Sequence, residues 1–468
     1  MTSIDASHQY SEGLCFVYQV QLADYRQLTR VHHLVSTNRH IESSMIHPTP
    51  TQECTVLLPY HLSGLNFELT DESRSGSLPF GLRFQILRLA QNGKLLPNQA
   101  RGLLPCINEL YQDVGETATI EAVRCLYRRL YSPGSHTESS DYAQATLVKL
   151  LKGFAHGYQS FGAQDAYSIS NRYAHIVLVH KVNVTPSGTY LEGPTAEVTN
   201  RVLRTYPGRT DFFLRVCLMD EDGESVRYDP NASQDEIYHG RFKAFLDGSF
   251  NIAGRGYSFL GFSHSSLRSQ TCWFMAPFVS DSVLIMAPTV IRSLGDFSAI
   301  RSPARCAARI GQAFTDTTGT VKIEAGMLLR VPDITRNGRL FSDGVGTISG
   351  SLLQRIWQIY GTKKAVQPII LQIRFAGAKG VVSLDSRLRE DQLTIRASME
   401  KFHGSRSNMV ETLRCCIPTT ADDPQPRLHQ DLGRSRRRNS RLFATAGQSS
   451  PEPQVDDQLD HQRGHIFK

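Results

Sequence analysis

RLFSDGVGTISGSL, Arg339 to Leu352, is the stretch on which the fold turns. Two glycines stand at x-G-x-G spacing behind an aspartate, and an apolar-periodic segment follows. A P-loop would need a lysine and a hydroxyl directly behind its last glycine; Gly346 leads to Gly350 with no lysine after it. A dinucleotide fingerprint would need a third glycine where Ser349 stands and an acidic residue about twenty positions on. No acidic residue lies between Asp343 and Asp385. What remains locally is a turn: Asp343-Gly344 is a hairpin dipeptide, since both residues tolerate positive φ, and Gly346 loosens the backbone further. A helix is predicted next, with Ser349 or Ser351 as N-cap, Leu352, Leu353, Ile356, Trp357 and Tyr360 on one face, and Gly361 as its stop.

Outward from that stretch, the 468 residues are 40% hydrophobic and 20% charged, which suits a globular protein of two or three domains. The nine cysteines are scattered without a C-x-x-C, and read as reduced thiols of a nuclear or cytoplasmic protein with no zinc site. The N-terminus lacks the basic and apolar regions of a secretory signal. The apolar run SVLIMAPTVI (282–291) is about half a membrane span, so no membrane partner is expected. Residues 1–240 carry 20 Lys/Arg against 25 Asp/Glu, whereas 241–414 carry 23 against 12, a net charge of +11. A basic block of this size suits a polyanion, most often nucleic acid, although a solvated basic surface has the same composition.

Helices are predicted between 80 and about 155. TIEAVRCLYRRLY sets Ile120, Val123, Leu126, Tyr127 and Leu130 on one face, and DYAQATLVKLLKG opens at Asp141 and stops at Gly153. Strands follow from 174: two in AHIVLVHKVNVTPSGTYLEGP, and a hairpin about Asp222-Gly223 in FFLRVCLMDEDGESVRY. SPARCAARIGQAF reads as a helix capped by Ser302 with Pro303 at N1. PIILQIRF and GVVSLD read as strands flanking a turn Gly377-Ala378-Lys379-Gly380, with QLTIRAS as a third strand. The segment 415–468 has little apolar content and no periodicity, and is expected to be disordered.

Seven stretches, in order, resemble one family. They are LPFGLRFQILRLAQNGKL, GPTAEVTNRVLRTYPGRTDFFLRVCLMDEDGESVRYD, SQTCWFMAP, ARIGQAFTDT, RLFSDGVGTIS, IRFAGAKGVVSLDSRL and LTIRASMEKF. Together they are similar to the eukaryotic RNA-dependent RNA polymerases of RNA silencing in their fungal form, over roughly residues 75–405. The resemblance implies an α+β chain: helical and β scaffold regions leading into a double-ψ β-barrel of the cellular RNA polymerase type. It divides the chain into a weakly patterned segment (1–75), a helical scaffold (76–165), a β-rich region (166–300), the first barrel region (301–414) and an out-of-family tail (415–468). RLFSDGVGTIS, with Asp343, Gly344 and Gly346, looks like the family's signature turn. Lys379 would then point into the catalytic cleft, toward nucleotide or product phosphates.

Arg305 and Arg309 share a helix face and could track a phosphate backbone or simply be solvated; Arg336, Arg339, Lys363, Lys364 and Arg374 are similar candidates. Trp273 reads as a core tryptophan rather than a base-stacking platform. The family implies a single-stranded RNA template, nucleoside triphosphates, RNA-silencing protein partners, and Mg²⁺ held by three aspartates of a D-x-D-G-D loop. That string is absent here. The nearest run, Asp220-Glu221-Asp222-Gly223-Glu224, lies upstream of the barrel and reads as a turn. The resemblance ends soon after Lys401 and Phe402. The expectation is a truncated polymerase without its second barrel, binding no metal.

Overall fold

The computed structural model describes residues 78–130, 142–161, 175–186, 188–227, 233–359 and 368–413. Four helices come first: α1 (Phe80–Gln91), α2 (Pro97–Gly102), α3 (Leu104–Arg129, bent at Gly115) and α4 (Gln144–Phe161). α3 carries Ile120, Val123 and Leu126 inward, as its periodicity predicts. α4 does not stop at Gly153. A mid-helix glycine costs only about 1 kcal/mol, and the buried stripe Leu147, Leu151, Ala155 continues past it.

The first sheet follows: β1 (Ile176–Val184), β2 (Thr189–Val198), the short helix α5 (Arg201–Thr205), then β3 (Phe213–Leu218). A π-helical stretch (Glu236–Phe242) and α6 (Lys243–Asp247) lead to β4 (Ser249–Ile252), β5 (Arg255–Gly261), α7 (His264–Arg268) and β6 (Thr271–Met275). The sheet order is β2-β1-β3-β6-β5-β4, with β1 and β3 parallel. Its inner face, with Val182, Leu214, Phe250 and Phe274, shares one core with α1, α3 and α4. Burying such a side chain contributes about 1.5–3 kcal/mol, so this shared face fixes the helices on the sheet. The expected hairpin about Asp222-Gly223 is not formed. Both edges of β3 are already taken by β1 and β6, so the acidic run only closes a turn, with Asp220 N–H donating to the Glu224 carbonyl at 2.8 Å.

The hairpin β7 (Phe278–Ser280) and β8 (Val283–Ile285) leads to α8 (Ala287–Leu294) and α9 (Pro303–Ile310). α9 has the predicted cap: Arg305 N–H donates to Ser302 Oγ at 3.4 Å, with Pro303 in the first turn. The second sheet contains β9 (Thr318–Lys322), β10 (Leu328–Val331), β13 (Val345–Ile348), β14 (Ile370–Phe375), β15 (Ala378–Leu384), β16 (Leu393–Arg396) and β17 (Met409–Thr412). Between β10 and β13 lie the short strands β11 (Thr335–Arg336) and β12 (Arg339–Leu340), and α10 (Gly350–Ile359) follows β13. The order is β10-β16-β13-β15-β14-β17-β9, with β13/β15 and β10/β16 parallel. Leu352, Leu353 and Ile356 of α10 pack against Ile348, Ile373, Val382 and Ile395. Ser349 caps α10, its Oγ accepting from Leu352 N–H at 3.3 Å, while Tyr360, Gly361 and the segment 415–468 lie outside the described residues.

Two local expectations are corrected here. Asp343-Gly344 forms a turn, closed by Val345 N–H on the Ser342 carbonyl at 3.0 Å, but not a hairpin, because β12 and β13 do not pair. The hairpin lies six residues earlier, between β11 and β12, where Asn337 (φ 50°) and Gly338 (φ 72°) supply the two positive φ angles of a tight turn. The turn before Lys379 is also shorter than predicted. Phe375 pairs with Ala378, so the chain reverses at Ala376-Gly377 and Lys379 sits within β15, opposite Arg374.

Candidate nucleic-acid interface

β14 alternates strictly. Leu371, Ile373 and Phe375 enter the core, so Arg374 must face the other side of the sheet. Directly opposite Arg374 stand Lys379 on β15 and Glu411 on β17. Facing residues of neighbouring strands share a face, so Glu411, Arg374 and Lys379 form a row across three strands. Two further segments bring cations to it. Arg309 comes from the last turn of α9. Lys401 comes from the chain after β16, which is fastened over the Ala376-Gly377 turn by Lys401 N–H on the Gly377 carbonyl at 3.0 Å.

Like charges crowd this row. Partial burial first, then Arg374, Arg309 and Lys401, push the Lys379 ammonium below its ordinary range. Arg374 is lowered chiefly by burial, with Glu411 acting in the opposite sense and Arg201 with it. Arg374 Nε is buried without a partner, and its Nη1 reaches only the carbonyl of Ile373 at 3.1 Å. The carboxylate in the row is already committed. Glu411, 1% exposed, accepts from Arg201 Nε at 2.9 Å, Arg201 Nη2 at 2.8 Å and Arg204 Nη2 at 2.9 Å. Arg374 and Lys379 therefore face each other, with Arg309 and Lys401 near enough to act on Lys379 and a carboxylate that already accepts three hydrogen bonds beside them, an arrangement that an oxyanion with several lone pairs would relieve.

The sequence candidates divide accordingly. Lys379, Arg374 and Arg309 come together, and Lys401 joins them although its place in the sequence gave no sign of it. Arg305 stands exposed one turn earlier on α9, outside that set. Arg336 and Arg339 face each other on the exposed β11–β12 hairpin. Lys363 and Lys364 lie outside the described residues. Trp273 is 1% exposed in the core around β3 and β6, with the Arg215 guanidinium 5.2 Å from its ring.

The signature turn is a structural clamp. Asp333 accepts from Ser398 Oγ at 2.6 Å, Ser398 N–H at 2.7 Å and Ser342 Oγ at 3.0 Å, and Gly344 N–H donates to Ser398 Oγ at 2.9 Å. The Ser398 bonds hold the Asp333 carboxyl below its ordinary range. Asp333 was missed in the sequence because its partners lie 9 and 65 residues away. Asp343 is exposed, and Asp385 is engaged by Arg387 Nε and Nη2, both at 2.9 Å, which pull its pKa down to about 2. Among the described residues, no three His, Cys, Asp or Glu side chains converge as a metal site, so these residues do not fit a two-Mg²⁺ centre. The described cysteines, Cys106, Cys125, Cys217, Cys272 and Cys306, are free. Among the described residues no helix is long and apolar enough to cross a membrane.

Comparison with known proteins agrees with the earlier resemblance. The family model described as RNA dependent RNA polymerase matches residues 184–429. RNA-dependent RNA polymerase 1 of Arabidopsis thaliana is 34% identical over 246 residues, covering 50% of this chain and 21% of that protein. Probable RNA-dependent RNA polymerase 2 of Oryza sativa subsp. japonica is 30% identical over 369 residues, 72% of this chain and 29% of that protein. RNA-dependent RNA polymerase 1 of Schizosaccharomyces pombe is 30% identical over 249 residues, covering 52% and 20% respectively. A solved structure, the RNA dependent RNA polymerase QDE-1 from Thielavia terrestris, aligns with a TM-score of 0.45 at 13% identity, over 72% of this chain and 36% of that one. The chain thus spans between a fifth and three tenths of the length of these curated relatives. Since the family model covers more than half of its residues, the chain belongs to the eukaryotic RNA-dependent RNA polymerase family of RNA silencing.

Proposed function

We propose that this chain is the part of an RNA-directed RNA polymerase that supplies the cationic wall of the cleft, in an enzyme that copies single-stranded RNA into double-stranded RNA for small interfering RNA production. On this reading the second sheet is the first double-ψ barrel, and Lys379, Arg374, Arg309 and Lys401 receive phosphates of the nucleic acid or of a nucleoside triphosphate. The observation that carries the reading is the pairing of Arg374 with Lys379, with Arg309 and Lys401 acting on Lys379, beside a carboxylate already engaged on both oxygens by Arg201 and Arg204. Arg305, Arg336, Arg339, Lys363 and Lys364 would extend the same phosphate track.

The metal half of the chemistry is a separate matter. The family's D-x-D-G-D carboxylates, which would hold Mg²⁺, are not in this sequence, so the 468 residues by themselves bind RNA without extending it. A second reading is a non-catalytic RNA-binding protein derived from the polymerase. One pair of assays tests both. The chain should retain single-stranded RNA at low salt and incorporate no labelled nucleotide with Mg²⁺ or Mn²⁺, while the same chain extended through a D-x-D-G-D loop incorporates it. Incorporation by the 468-residue chain would overturn the division of labour, and an extended chain that binds RNA but stays inert would favour the second reading.

A further inference from the structure

Glu411 stands in the same row as the cations, directly opposite Arg374. Left to itself it would pair with Arg374 and neutralise the centre of the row. The fold prevents this with a short helix from the first sheet region. α5 begins at Asn200, whose side chain accepts from Leu203 N–H at 3.1 Å, and this cap directs Arg201 and Arg204 from one face of a single helical turn. Arg201 grips both carboxylate oxygens and spends its remaining nitrogen on the Ala376 carbonyl at 2.8 Å, in the turn that precedes Lys379. Arg204 takes one more lone pair of Glu411 and is itself held by Thr317 Oγ1 at 2.9 Å. Arg201 is buried and Arg204 half-buried, with side chains 6% and 22% exposed, so solvent competes little for the Arg201 bonds.

We infer that Arg201 and Arg204 are positioning residues of the phosphate site: by engaging both oxygens of Glu411 through three hydrogen bonds they draw its carboxylate away from Arg374, and so keep Arg374 and Lys379 available to an anion. The inference rests on the phosphate reading above and deepens it. It explains why a strongly basic row contains a buried carboxylate at all. Glu411 anchors the α5 arginines and the Ala376-Gly377 turn, and is prevented from discharging the site it supports.

The test is a double-substitution cycle on the full chain, with thermal unfolding run on every variant to confirm folding. Arg201→Gln frees most of Glu411 and Arg204→Gln frees one lone pair, so affinity for an oligouridylate should fall by about fivefold and about twofold respectively. In an Arg374→Met background Glu411 has no neighbour to capture, and both losses should vanish. The titration of ¹³C-dimethylated Lys379, assigned with Lys379→Arg, should rise in the single variants and stay put in that background. If Arg201→Gln does not fold, Arg204→Gln carries the same cycle. Losses that persist undiminished without Arg374 would overturn the inference, because a general field or a structural defect would then account for them. A wild-type chain that binds no oligouridylate would sink the phosphate reading, and the Lys379 titration alone would then decide whether Glu411 is withheld.

Discussion

Gly346 and Gly344 should respond to alanine in opposite proportion to their conformational strain. Gly344 has φ 69°, with nothing within 4 Å of an added Cβ, so Gly344→Ala suffers only left-handed backbone strain, about 1–2 kcal/mol. Gly346 has no positive φ, but a Cβ there would lie 2.2 Å from the Thr394 carbonyl oxygen and 3.0 Å from Met399 Sδ. The obstruction is backbone, and neither strand can retreat. β13 is paired to β15 on one side and to β16 on the other, with Thr347 opposite Thr394. Relief requires a displacement of about 1 Å between β13 and β16, adding overpacking of about 1–3 kcal/mol to the loss of one or two ladder bonds at about 1 kcal/mol each. Gly346→Ala should therefore cost about 2–5 kcal/mol, against a typical total of about 5–15 kcal/mol. Urea unfolding followed by Trp357 fluorescence in a Trp273→Phe background reads this sheet through α10. A Gly346→Ala midpoint equal to wild type, or a Gly344→Ala variant that is the less stable of the two, would refute the strand crossing on which the signature turn depends.

Other consequences are equally specific. His180 is buried against Phe80 and Phe84, and burial holds its pKa near 4 rather than 6.5. The unfolded chain therefore binds the extra proton between those values, and stability should fall by roughly 3 kcal/mol as pH drops from about 6.5 to about 4; urea midpoints should show that slope in wild type and lose it in His180→Leu. Asp333→Asn should release Ser398 and speed amide exchange at Gly344, while leaving the amides of β1 unchanged. Uniform protection in that variant would contradict the clamp. Lowering pH through the depressed Asp333 titration should loosen the same turn, since the carboxylate's bonds are present above its ordinary pKa and lost as it protonates.

Much of the secondary structure was legible because its signals are local. Ser302-Pro303 and Ser349 mark helix starts with groups that bond within three residues, and the alternation in Ile370–Phe375 needs no tertiary information. The errors arose where partners elsewhere decide the outcome. Asp222-Gly223 has hairpin chemistry, but β3 had no free edge. Gly153 has stop chemistry, but the apolar stripe of α4 carries on beneath it. Asn337-Gly338, the stronger hairpin dipeptide, directly precedes the stretch Arg339 to Leu352. The site was legible only in part. Lys379, Arg374 and Arg309 could be named as basic candidates, but their convergence depends on pairings across three strands and a helix. Glu411 and Arg201, 210 residues apart, carry no signal of each other.

If Lys379, Arg374, Arg309 and Lys401 together receive phosphate, the salt dependence of RNA binding must report it. Each phosphate contact on a single strand contributes about 0.7 to the slope of log affinity against log salt. Single-stranded RNA bound by the 468-residue chain should weaken steeply between low and moderate KCl. Lys379→Met should make that slope shallower by about 0.7, and the Lys379→Met/Arg374→Met pair by about 1.4, with unchanged unfolding midpoints. A slope that stays the same when both residues are neutralised, in a chain that still binds RNA, would place the phosphates elsewhere.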